Sequence, residues 1–173
     1  MFDKEYSFRG SHAEKVIKLT AEFDKNKHKL FNRNIDVYLT APIIGFLYGR
    51  RSELDRSAET TKIFPEQLIH EQSNLLFAYR LIMLLDKDYE PDLNKRIDKA
   101  FRYYNDDEKA ASDKERFEEY VRGGVDVLYE KLLSNISSEE DYILNLYNFM
   151  EEFEERYNRD INIDNILELC RLV

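Results

Sequence analysis

The sequence predicts an all-α fold, a single-domain bundle of six to eight helices packed around a central apolar helix at about residues 30–49. Three observations carry this. Breakers are scarce, with 5 Gly and 3 Pro among 173 residues, which favours long helices over many strands and turns. From Ile35 to Tyr48 almost every side chain is apolar, the mark of a helix buried on all sides. Elsewhere apolar residues recur at helical spacing behind capping patterns. No strand pair, internal repeat or long linker stands out.

The central segment is too short for a membrane span, which needs about 20 apolar residues, and Asp36 interrupts it. Pro42 lies inside it and removes a backbone donor, so the helix kinks there or restarts. Gly45 and Gly49 share a face and form a notch for a neighbouring helix.

Residues 1–10 read as an extended N-terminal arm in which Phe2, Tyr6 and Phe8 alternate with polar residues. Ser11-His12-Ala13-Glu14 has the capping-box pattern, opening a helix to about Asp24. A basic connection, Lys25 to Lys29, leads to the central helix. Residues 50–64 are polar, partly helical, with a loop at Thr60-Thr61. Pro65 opens a helix to about Leu85, and Leu93, Ile97, Phe101 and Tyr104 give an amphipathic helix over 92–104. Ser112-Asp113-Lys114-Glu115 opens the next helix, with Gly123-Gly124 in its middle. Each of these glycines costs on the order of 1 kcal/mol against alanine, which points first to a close helix crossing, then to ligand approach or a break. Ser137-Ser138-Glu139-Glu140 opens a helix with Ile143, Leu146, Tyr147, Met150, Phe153 and Tyr157 on one stripe. A last helix covers about 163–172.

The net charge is −9 and is unevenly spread. Residues 1–56 hold 11 basic and 8 acidic side chains, and the remainder 15 and 27. Such asymmetry can steer a partner, although an acidic surface also serves solubility. Met1-Phe2-Asp3-Lys4-Glu5 lacks the apolar core of a signal peptide, and the single cysteine, Cys170, allows no internal disulfide. A cytoplasmic protein without membrane association is the expectation. The Lys, Asn, Ile and Tyr usage points to an AT-rich bacterial genome.

Catalytic and metal motifs are missing, so no catalytic residue, metal or cofactor is assigned. Glu66 and His70 lie one turn apart, short of the paired Glu-x-x-His motifs of a di-metal bundle. Asp160-Ile161-Asn162-Ile163-Asp164 imitates a calcium loop but continues with Asn165 and Arg171 where glycine and glutamate are required. Gly45 to Arg50 lacks the ending of a phosphate loop.

What remains is a non-enzymatic interaction protein, an accessory or regulatory subunit that meets a protein partner or a second copy of itself. Its surface would be the acidic face of the 139–160 helix, centred on Glu151, Glu152, Glu154 and Glu155, or the aromatic-rich helices, since aromatic side chains favour interfaces. The alternative is a nucleic-acid-associated protein using Arg9, His12, Lys29, Arg33, Arg50 and Arg51, against which the overall acidity stands. A third reading is an enzyme with a pocket near Pro42 and Gly123-Gly124, lined by Tyr38, Tyr48, Glu66 and His70.

Overall fold

The computed structural model describes residues 1–157. The expected helix at 163–172, the calcium-like stretch and Cys170 lie outside them. The fold is mostly helical, with one small two-stranded sheet. Two compact units divide the chain, Met1–Glu130 and Lys131–Val173.

In the first unit, β1 (Tyr6–Arg9) pairs antiparallel with β2 (Thr60–Ile63), Tyr6 opposite Ile63 and Arg9 opposite Thr60. This corrects two expectations: the arm is a strand, and Thr60-Thr61 is its partner rather than a loop. Four residues on each side are too few to stand out by alternation. Residues 50–59, read from sequence as partly helical, contain no helix.

Helix α1 spans Gly10–Leu19 and starts one residue before the expected cap. Ser11 is therefore inside the helix, and its backbone N–H donates to Asp55 Oδ2 at 2.8 Å. Helix α2, Asn34–Leu47, runs through Pro42 without a break. It ends in a Schellman motif: Arg50 N–H donates to Gly45 O at 2.8 Å and Gly49 N–H to Phe46 O at 3.0 Å. Gly49 has φ +62 and open space around it, so it is a helix stop and no packing notch.

Gly45 does form a notch. A Cβ there would lie 2.1 Å from the Tyr120 carbonyl oxygen of α6 (Ala111–Leu132), and one on Gly124 would lie 1.8 Å from the Ala41 carbonyl oxygen. A Cβ on Gly123 would lie 2.1 Å from Arg50 O. The two glycines in α6 therefore serve backbone-to-backbone packing. Helix α6 begins at Ala111, so Ser112 sits in the first turn and not at the cap.

The expected 65–85 helix is two helices, α3 (Pro65–His70) and α4 (Gln72–Leu85), separated at Glu71. Asp86 ties the end of α4 to α6 by accepting from Arg116 Nε and Tyr120 Oη, both at 2.8 Å. The aromatic centre of the core is Phe8, Tyr38, Tyr79 and Phe117, all fully buried. Tyr38 and Phe117, and Tyr79 and Phe117, meet edge to face.

Helix α5, Leu93–Ile97, continues as a π-helical turn, Asp98–Arg102. The sequence leaves open which way its apolar stripe faces. Leu93, Ile97 and Phe101 are exposed, while Arg96 and Ala100 are buried. Arg96 Nη1 donates to the carbonyls of Glu90 and Pro91, each at 2.8 Å, so the guanidinium holds the preceding connection and turns the apolar stripe outward.

In the second unit, α7 spans Glu139–Tyr157. Asp141 accepts the backbone N–H groups of Ser137 and Ser138 at 2.8 and 2.7 Å, so the capping box is shifted one residue from the expected register. No described helix is long and apolar enough to cross a membrane.

Candidate functional site

A cavity of about 440 Å³ lies in the first unit, lined by Phe2, Tyr6, Tyr38, Leu68, Phe117 and Glu118. Three elements build it. The β1 strand and the residues before it bring Phe2 and Tyr6, the buried α2 brings Tyr38, and α6 brings Phe117 and Glu118. The rings pack closely: Tyr6 and Tyr38 have centroids 4.4 Å apart, and Phe2 meets Phe117 edge-on at 5.7 Å.

Glu118 is the chemically notable group. Its Oε1 accepts from Tyr38 Oη at 2.7 Å. Its Oε2 is buried without a hydrogen-bond partner. The Tyr6 hydroxyl also lies close enough to the carboxylate to interact with it. Burial pushes the Glu118 carboxyl above its ordinary value, and the hydroxyls of Tyr6 and Tyr38 and the charge of Arg122 offset this only in part. Burial, then the Glu118 charge, raises both tyrosines. Other charges also line the cavity: Lys114 meets Asp107 at 2.6 Å, Glu5 meets Lys62 at 2.8 Å, the Met1 ammonium lies 3.8 Å from Asp3, and Lys4 is exposed at the rim.

A second polar cluster surrounds Asp126 in α6. Lys15 Nζ donates to Oδ1 at 2.6 Å, Ser52 Oγ donates to Oδ2 at 2.5 Å, and His12 Nε2 lies 3.4 Å from Oδ1. Burial would raise this carboxyl, but the hydrogen bonds from His12, Lys15 and Ser52 prevail and hold it well below the usual range. Serine, histidine and aspartate are the types of a hydrolytic triad, yet serine and histidine each turn to the carboxylate. No hydrogen bond joins Ser52 to His12 among the described residues, so no base activates the hydroxyl. The cluster joins α1, residues 50–59 and α6.

The basic residues singled out in the sequence are dispersed by their pairings. Arg33 meets Asp36 at 2.7 Å, Arg50 meets Glu130 at 3.2 Å and Arg51 meets Glu119 at 3.2 Å. His12 is buried beside Asp126. Arg9, at the end of β1, and Lys29, within the α1–α2 connection, are exposed. Of the acidic residues on α7, Glu152 meets Lys131 at 2.6 Å and Glu151 accepts from Tyr147 Oη at 2.9 Å; Glu154 and Glu155 are exposed.

The expected enzyme pocket resolves differently. Tyr38 lines the cavity, while Tyr48, Glu66 and His70 are not among its walls, and Gly123-Gly124 is filled by backbone. His70 pairs with Glu71 at 3.2 Å, and no three metal-ligating side chains converge among the described residues.

A third feature was missed in the sequence because periodicity gives a stripe on the 92–104 helix without saying which way it faces. Ser73, Phe77, Arg80, Leu81, Leu84 and Phe101 line a groove of about 360 Å³ between α4 and the π-helical turn. Phe77 is 66% exposed and Phe101 51%. The Arg80 guanidinium lies 5.3 Å from the Phe101 ring centroid and 5.0 Å from that of Tyr104. Its Nε is buried and unpartnered.

Compared with known protein families, curated proteins and solved structures, the chain has no match.

Proposed function

We propose that this chain is a non-enzymatic helical interaction protein, an accessory or regulatory subunit of a cytoplasmic complex, that docks a partner protein on the aromatic face of α4 and α5. One observation carries the reading: Leu93, Ile97 and Phe101 are exposed, Phe101 lines a groove with Phe77, and a charged arginine, Arg96, takes the inward position. Contiguous exposed apolar surface of this kind marks a contact site. A groove between two helices suits an amphipathic helix of the partner. Arg80 has no ion pair among the described residues and sits on aromatic rings, so an acidic residue on that helix would complete the contact; aromatic and arginine side chains are the usual anchors of such interfaces.

In the second unit, α7 offers a further contact surface. Ile143, Leu144, Tyr147 and Met150 are all more than half exposed, on the same helix as its acidic residues.

The test is affinity purification from the native host with the Phe77→Glu/Phe101→Glu chain beside the wild type. A stoichiometric partner that is lost in the double variant is the expected result. Charge reversal at Glu151, Glu152, Glu154 and Glu155 tests α7 separately. Nucleic acid alone, released by salt, would overturn the reading in favour of the basic residues.

A further inference from the structure

We propose that the Glu118 cavity is a binding site for a small organic cation, an alkylammonium group held by the carboxylate and the surrounding rings. The site is distinct from the groove between α4 and the π-helical turn and does not depend on it. At about 440 Å³ the cavity has the volume of a small-molecule site. Its walls supply the two things an organic cation needs. One is aromatic surface, from Phe2, Tyr6, Tyr38 and Phe117, whose ring faces attract positive charge. The other is an acceptor still in want of a donor, Glu118 Oε2.

A purely structural role accounts poorly for that oxygen. A buried acceptor left unpaired is destabilising, and in a carboxylate more so. Arg122, the nearest cation on α6, is engaged elsewhere: it donates to Glu115 Oε1 at 2.5 Å and to the Ser52 carbonyl at 2.8 Å. Lys114 is turned to Asp107. Arg122 acts on Glu118 only through its charge; among the described residues no cation pairs directly with the carboxylate, and an ammonium N–H would complete Oε2.

Phe2 is the wall that can give way. It is only partly buried, while Tyr38 and Phe117 are fully buried. Its backbone is in the left-handed region at φ +59, a conformation that a bulky residue adopts only under constraint. A small shift of the chain at residues 1–3 would relieve that strain and widen the space beside Glu118, leaving the faces of Tyr6, Tyr38 and Phe117 in place. An anion is disfavoured by the carboxylate, and a neutral ligand leaves the ring faces without a charge to attract.

The test is titration of the full chain with n-butylammonium, butyramide and butyrate at neutral pH, read by amide chemical shifts. The expected result is saturable binding of n-butylammonium, with shifts centred on Tyr6, Tyr38, Phe117 and Glu118. The other two probes should bind at least about tenfold more weakly. Glu118→Gln keeps the acceptor for Tyr38 but loses the charge, and should abolish n-butylammonium binding. Should that variant fail to fold, the wild type still decides the matter. Tyr6 from β1, Tyr38 from α2, and Glu115 and Arg122 from α6 are the groups that set the Glu118 titration. Binding must weaken as Glu118 is protonated, at a pH above the ordinary glutamate value. Absence of saturation, equal binding of butyramide or butyrate, shifts confined to the exposed acids of α7, or retention in Glu118→Gln would each overturn the proposal.

Discussion

Gly45 and Gly124 face each other across the crossing of α2 and α6, each closing on the backbone of the opposite helix. Added methyl groups would meet carbonyl oxygens, which cannot rotate away. Gly124→Ala should therefore destabilise the chain by at least about 3 kcal/mol, since overpacking against rigid backbone is costly. Gly49→Ala is the control: space is open and only the positive φ is strained, so the loss should be about 1 kcal/mol. Chemical denaturation of the two variants checks the contrast.

Asp126 gathers Lys15, Ser52 and His12 from two other segments. Its folded pKa is lowered from 3.8, so its contribution is complete above the unfolded value and is lost as pH falls toward the folded one. Asp126→Asn leaves two nitrogen donors without their counter-charge and should cost about 3 kcal/mol at neutral pH. The loss should shrink progressively as pH falls below about 4, where the unfolded chain takes up a proton that the folded Asp126 still refuses. Melting curves across this range test both parts.

Glu118 carries the opposite sign. Its folded pKa is raised above 4.5, mainly by burial, so the fold holds a proton there that the unfolded chain releases. Its contribution is present below the unfolded value and is lost as pH rises through the folded one. Glu118→Gln should melt above the wild type at neutral pH, with the difference vanishing near pH 4. A variant that is less stable at both pH values would contradict this.

The helical architecture could be read from residue types, because it rests on local signals: the apolar run of α2, the period of α6, Pro65 at a first helical turn. The candidate sites could not. Glu118 lies next to Phe117 on α6, and nothing in the spacing tells that its neighbour in space is Tyr38, a residue 80 positions away. Asp126 left a trace, lying between Val125 and Val127 in an otherwise apolar run, where a carboxylate needs partners. The orientation of α5 was not legible because Arg96 satisfies carbonyls that only the tertiary fold brings to it, and periodicity fixes a stripe without fixing which way it faces. The small sheet escaped notice because its strands are 51 residues apart at their closest pairing.

Arg96 should accordingly matter more than the apolar residues of its own helix. Arg96→Ala leaves the Glu90 and Pro91 carbonyls without donors and should cost about 2 kcal/mol. Phe101→Ser, at an exposed position, should change stability by no more than about 0.5 kcal/mol. Equal losses in the two variants would mean that the stripe packs inward.

The most direct test of the docking face is a photoreactive phenylalanine analogue placed at Phe101 in the native host, with the same group at Ala100 as the buried control. A covalent adduct to a second protein from position 101, and none from 100, is the predicted result. No adduct at 101, with the chain intact and folded, would contradict the assignment of α4 and α5 as the partner surface.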